Sequence, residues 1–113
     1  DILFAGSHDL TMDVLVHHLS LKGVALLPIY SGSLEGLIEL YKGRTELAGC
    51  HLLDQANGTY NLSHITCLMG SEEVTVINLV HRWQGFIVPK GNPRMITDWR
   101  QFFSGNHRIV NRQ

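Results

Sequence analysis

Two short turns in this chain set hydroxyl groups beside glycine: Gly6-Ser7 and Ser31-Gly32-Ser33. Each stands between an apolar run and a stretch with helical periodicity. Unpaired amide N–H groups and a partial positive charge collect at the start of a helix. A serine there adds a donor, and a neighbouring glycine lets the backbone approach a ligand closely. Two such turns at adjacent strand ends would form a cradle for an anion without any lysine. The structural alternative is that Ser7 and Ser33 are ordinary N-caps, worth about 1 kcal/mol each to their helices.

Other reactive side chains point less clearly to a chemistry. The seven histidines are His8, His17, His18, His51, His64, His81 and His107. None shares an HxxxH pair, and neither cysteine belongs to a CxxC pair, so no two ligands fall on one face by spacing. His17 and His18 are adjacent and diverge on a helix. His8 and His51 both stand at predicted strand ends and could converge. For each histidine a surface or hydrogen-bonding role is favoured over metal ligation. Cys50-His51 suggests a nucleophile with a base, but neighbours on a strand face opposite ways. The chain has no GxSxG elbow, GxGxxG fingerprint or Walker A pattern, so it is read as non-enzymatic. Arg82 and Arg112 could clamp an oxyanion or a carboxylate, or serve in structural ion pairs. Trp83, Trp99, Phe102 and Phe103 read as core. Cys50 and Cys67 read as small buried residues, with a bridge left open.

The elements that must position these groups follow from periodicity. Residues 2–5 are an apolar run, and Leu10, Val14, Leu15 and Leu19 then recur at helical spacing. Gly23 closes that helix. Residues 24–30 form a second apolar run, in which Pro28 signals an edge or a bend. Leu34, Leu37, Ile38 and Tyr41 mark a second helix, and residues 46–51 a short buried strand. Strands alternating with helices predict βαβ units, a parallel sheet and right-handed crossovers. Such sheets bind ligands at the carboxyl ends of their strands. Those ends are Gly6-Ser7-His8, Ser31-Gly32-Ser33 and Cys50-His51. Further on, residues 63–69 suggest a short helix. The runs 74–80 and 85–88 suggest strands, Thr97 a helix cap, and residues 108–111 a last strand signal.

Composition narrows the classes. With 113 residues, 44% hydrophobic and 17% charged, the chain suits a soluble globular domain and not a disordered one. A formal net charge of -1 gives no bulk attraction to nucleic acid or to an anionic membrane. No apolar run is long enough to span a bilayer. The start, almost directly on a strand, reads as an excised piece or a mature form without its leader.

Six stretches carry a resemblance, in order along the chain: residues 5–10, 32–37, 47–54, 58–61, 84–93 and 110–113. Together they resemble the periplasmic-binding-protein-like domain of the molybdate-binding type. The resemblance implies a two-lobed α/β fold of type II, each lobe a three-layer α/β/α sandwich on a parallel sheet, with the ligand in the cleft. Residues 1–80 would build the first lobe, and 81–113 the hinge and an incomplete second lobe. Ser7, His8, Ser31, Gly32 and Ser33 would line the first-lobe wall. His51 and Tyr60 would border the cleft, and Arg82, Asn111 and Arg112 would approach from the hinge and second lobe. The implied ligand is molybdate or tungstate, held without a cofactor or metal ion and used in sensing or transport. The alternative is an effector-sensing domain of a transcription regulator that binds an organic ligand. Family members are often fused to a helix-turn-helix or a molybdopterin-biosynthesis domain, so a similar fusion is expected here, in the cytoplasm rather than the periplasm. Uncovered strand edges would also favour a homodimer.

Three features depart from the family. The Gly-Ser-Gly-Thr-Arg helix start after Gln113, and the strand that returns to the first lobe, are missing. Trp83 stands where an acidic residue is usual. Cys50 stands where a small residue such as serine is commoner.

Overall fold

The computed structural model of the chain describes residues 1–110. The chain divides into two compact units, Asp1–Val80 and His81–Gln113. The first unit runs β1 (Ile2–Gly6), α1 (Leu10–Ser20), β2 (Leu26–Tyr30), α2 (Ser33–Tyr41), β3 (Leu47–Gly49) and α3 (Leu62–Met69). Its sheet has the order β2-β1-β3, and both pairings are parallel. Phe4 of β1 stands opposite Pro28 on one side and Leu47 on the other. Pro28 cannot donate to a ladder, and it is tolerated because β2 is an edge strand.

Strand pleating sends the two faces of the sheet to different helices. Phe4, Met12 and Leu26 form one buried cluster, joined by Ile2, Leu15, Val16 and Leu19. The α1 members of this cluster, Met12, Leu15, Val16 and Leu19, follow the i, i+3, i+4, i+7 stripe of an amphipathic helix. The stripe is rotated from the one that Leu10, Val14, Leu15 and Leu19 would form, because Leu10 and Val14 are exposed. Leu37, Ile65 and Met69 form a second cluster with Leu40, Ala48, Cys50, Leu52 and Leu68. Helices therefore cover both faces, giving the mixed α/β fold that the strand–helix alternation predicts.

Helix starts depart from expectation at two places. Asp9, not Ser7, caps α1, and its carboxylate accepts the Thr11 N–H at 2.9 Å. In the second unit, α4 (Trp99–Ser104) is capped by Asp98, which accepts the Gln101 N–H at 2.8 Å. Thr97 stands one residue earlier and donates its N–H and its hydroxyl to the Gln101 side chain. In both cases the acceptor is a carboxylate, which suits the positive end of a helix better than a neutral hydroxyl.

Among the described residues the strand signals beyond β3 are not realised; the last of them, 108–111, ends outside those residues. Residues 72–89 have no regular secondary structure, and neither do 106–110. The preference of β-branched residues for strands is expressed only against a neighbouring strand, and neither β2 nor β3 takes up the 74–80 run. The aromatic residues of the second unit are not a buried core either. Trp83 is fully exposed, and Trp99 and Phe103 are mostly so. Phe86 instead stacks on Phe102 at 4.4 Å between centroids and meets Trp99 edge-on at 4.5 Å. Cys67 is exposed, not buried, and both cysteines are free.

Helix α2 comes close to the sheet at Gly36. A Cβ there would lie 2.6 Å from both the Ala5 carbonyl oxygen and the Gly6 Cα, and backbone cannot yield as a flexible side chain can. Gly36→Ala is therefore expected to destabilise the first unit by about 1–3 kcal/mol. Gly85→Ala, at a site with open space around it, should stay within about 0.5 kcal/mol of the parent. Urea unfolding followed by circular dichroism compares the two.

Candidate functional site

Parallel pairing brings the carboxyl ends of β1, β2 and β3 to one edge of the sheet. The loops leaving those ends are fastened together by backbone hydrogen bonds. The Gly6 carbonyl accepts the N–H groups of Ser31 (3.0 Å) and Gly32 (3.2 Å), while Ser7 donates its N–H to the Gly49 carbonyl at 3.1 Å. Gly6 has φ 146°, and a Cβ on it would collide with the backbone of Gly49. Glycine at position 6 is therefore a condition of this close approach.

These bonds correct the expectation that the glycine–serine turns offer their amides to a ligand. The N–H groups of Ser7, Ser31 and Gly32 are already taken by the chain's own carbonyls. The donors that remain are of two other kinds. One is the first turn of α2: its first internal bond runs from Gly36 N–H to the Gly32 carbonyl, and no side chain caps the helix. The amides of Ser33, Leu34 and Glu35 thus lack a helix-internal acceptor. The other kind is the side chains. The hydroxyls of Ser7 and Ser33 lie 2.6 Å apart. The Ser33 hydroxyl is also 3.3 Å from Nδ1 of His51 and accepts the His51 backbone N–H at 3.1 Å.

Ser7, Ser33 and His51 therefore meet, one from the end of each strand. His51 is held there by a residue the sequence reading passed over. Asn61, with φ 68°, accepts the Leu52 N–H on its side chain and donates its own N–H to the Leu52 carbonyl, both at 2.8 Å. A non-glycine residue with positive φ is most often asparagine, and Asn61 ending a turn-rich stretch was the available signal. Tyr60 is exposed and pairs through an isolated antiparallel bridge with Leu53.

The other expected site residues are placed differently. His8 turns toward Asp13, with Nε2 3.9 Å from the carboxylate, and its ring meets Tyr30 edge-on at 4.6 Å. Partial desolvation, with the Asp13 charge beside it, pushes the Tyr30 phenol above its usual range. Ser31 and Gly32 are exposed and contribute the backbone bonds to Gly6. Arg82 belongs to the second unit and is in a segment without regular secondary structure. Asn111 and Arg112 lie outside the described residues. Among the described residues no group of three His, Cys, Asp or Glu side chains is arranged to hold a metal ion.

Cys50 does not suit the nucleophile role. It contributes to the second buried cluster, and burial pushes its thiol upward, away from the reactive thiolate.

A three-stranded parallel sheet, helices on both faces and a polar cluster where the strands end are features of a ligand-binding lobe. Residues 16–113 match the family described as the PBP superfamily domain, and the chain belongs to that periplasmic-binding-protein-like family. Domains of this class are typically binding domains and not catalysts. The chain is similar to the uncharacterized protein YvgK of Bacillus subtilis (strain 168), at 34% identity over 115 residues. That match covers all of this chain and 37% of the relative. No solved structure matches the chain.

Two outcomes are expected. Ser33→Ala removes the shared partner of Ser7 and His51 and should cost about 1 kcal/mol of stability, read from the shift in urea midpoint at constant slope. Iodoacetamide at mildly alkaline pH should modify Cys67 well before Cys50, as resolved by peptide mass spectrometry. Because burial raises the Cys50 pKa, the thiol's contribution to stability is complete below the unfolded thiol pKa and is lost as pH rises through the folded one.

Proposed function

We propose that this chain forms the first lobe, and the start of the second, of a binding domain for a small tetrahedral oxyanion of the molybdate or tungstate kind, used in sensing or transport. The observation that carries the reading is the Ser7–Ser33 hydroxyl pair beside the uncapped start of α2, with His51 next to it. A fully ionised oxyanion only accepts hydrogen bonds. Hydroxyls and helix-terminal amides can all donate to it, and the helix start favours its charge.

Affinity should be modest for this length of chain. A hydrogen bond to a charged group contributes about 1.5–3 kcal/mol, and micromolar binding needs about 8 kcal/mol after the costs of association. The first-lobe donors supply part of that sum. In a longer protein, residues beyond His81 would supply the rest from across the cleft, with Arg82, Asn111 and Arg112 as the candidates. Fusion to a helix-turn-helix or a molybdopterin-biosynthesis domain, a cytoplasmic setting and a homodimer belong to the same proposal.

A second reading, an organic effector in a regulator, has one feature in its favour. Leu34 follows Ser33 in the first turn of α2 and is exposed, as are Tyr30 and Tyr60. Apolar side chains near polar donors suit an organic anion, whose carboxylate would take the place of the oxyanion.

Isothermal titration of the chain with molybdate, tungstate and sulfate tests the main reading. Molybdate and tungstate should bind weakly but measurably, and Ser7→Ala should weaken them roughly tenfold, the equivalent of one lost charged hydrogen bond. Absence of heat with all three anions, together with saturable binding of small carboxylic acids, would favour the second reading.

A further inference from the structure

The Ser33 oxygen has one hydrogen to donate and two lone pairs to accept with, and three neighbours surround it. The His51 backbone N–H occupies one lone pair at 3.1 Å. The Ser7 hydroxyl at 2.6 Å and His51 Nδ1 at 3.3 Å share what remains, the other lone pair and the hydrogen. Only two arrangements satisfy all three contacts. In the inward arrangement Nδ1 is bare, Ser33 donates to it, and Ser7 donates to Ser33. In the outward arrangement Nδ1 carries a hydrogen and donates to Ser33, Ser33 donates to Ser7, and the Ser7 hydrogen is released to point away from the chain. Mixed arrangements face two lone pairs or two hydrogens across a contact, and a half-buried site penalises both.

We infer that His51 is a positioning residue that sets the direction of this relay, and that an acceptor-only anion bound at Ser7 selects the outward arrangement with a hydrogen on Nδ1. The inference rests on the oxyanion reading above. The anion has no hydrogen to give, so Ser7 can bond to it only by donating. Ser7 is free to donate only if Ser33 supplies the hydrogen between them, and Ser33 can do so only if it is not donating to the ring. In a neutral ring the hydrogen moves from Nε2 to Nδ1 by exchange with solvent. The Nε2 lone pair then faces water, because His51 is exposed. His51 thereby acts on the ligand through two hydroxyls without touching it.

The test uses the chain with 15N-labelled histidine, and sodium molybdate as the probe. Nitrogen shifts distinguish a bare ring nitrogen from one that carries hydrogen. Without molybdate, Nδ1 of His51 should read as bare. With saturating molybdate it should read as hydrogen-bearing, while His17 and His18, on the exposed face of α1, stay unchanged. Ser33→Ala should break the link: the amides at the start of α2 still shift with molybdate, and the His51 ring no longer responds. Ser7→Ala, which leaves the Ser33–His51 contact in place, should do the same. An unchanged Nδ1 despite molybdate-dependent amide shifts would overturn the relay and leave the oxyanion reading standing. Absence of any molybdate-dependent shift overturns both. A ring response that persists in Ser33→Ala also overturns the relay, since it would mean that His51 touches the anion directly.

Discussion

The Gly6 carbonyl, which accepts two amides from the neighbouring loop, is the contact on which the rest of this edge depends. It ties the end of β1 to the turn before α2, and the adjacent Ser7 N–H ties the same strand end to β3. With these bonds in place, three separate loops have a fixed relation. The Ser7 and Ser33 hydroxyls then come to 2.6 Å although the residues are 26 apart in sequence. The same bonds consume the amides that a simple glycine–serine turn would leave open. Rigidity at this edge and loss of backbone donors are one effect. The groups left to meet a ligand are hydroxyls, which can rotate, and the first-turn amides of a helix, which cannot.

That division has a chemical meaning. A fixed amide imposes one polarity, whereas a hydroxyl takes the polarity its neighbours allow. Ser33 has neighbours on every side, so its freedom passes to Ser7 and to the His51 ring. The Asn61–Leu52 pair fixes the chain beside His51, so the ring nitrogen stays within reach of Ser33. The preorganisation is in the backbone and the adaptability in three side chains.

Much of the fold was legible in the sequence. The three strands and first three helices follow from apolar runs, helical spacing and glycine stops, and Pro28 correctly marks an edge. The exact helix faces were not legible. The stripe of α1 turns on its cap, and the structure caps it at Asp9, two residues after the Ser7 that the sequence suggests. Nor could spacing show which amides were occupied, because the bonds of Gly6 to residues 31 and 32 exist only after the sheet forms. The meeting of Ser33 with His51 is a tertiary fact of the same kind. The 74–80 run failed for a different reason: its residue types report a preference that needs a partner strand, and local sequence does not state whether one is present.

The placement of the aromatic residues has a practical consequence. Both tryptophans, Trp83 and Trp99, belong to the second unit, and the three tyrosines, Tyr30, Tyr41 and Tyr60, belong to the first. Intrinsic fluorescence excited at the red edge of absorption is therefore emitted by the second unit alone. Reagents that nitrate phenols, by contrast, place their coloured product in the first unit alone, so the two halves of the chain can be followed through different chromophores.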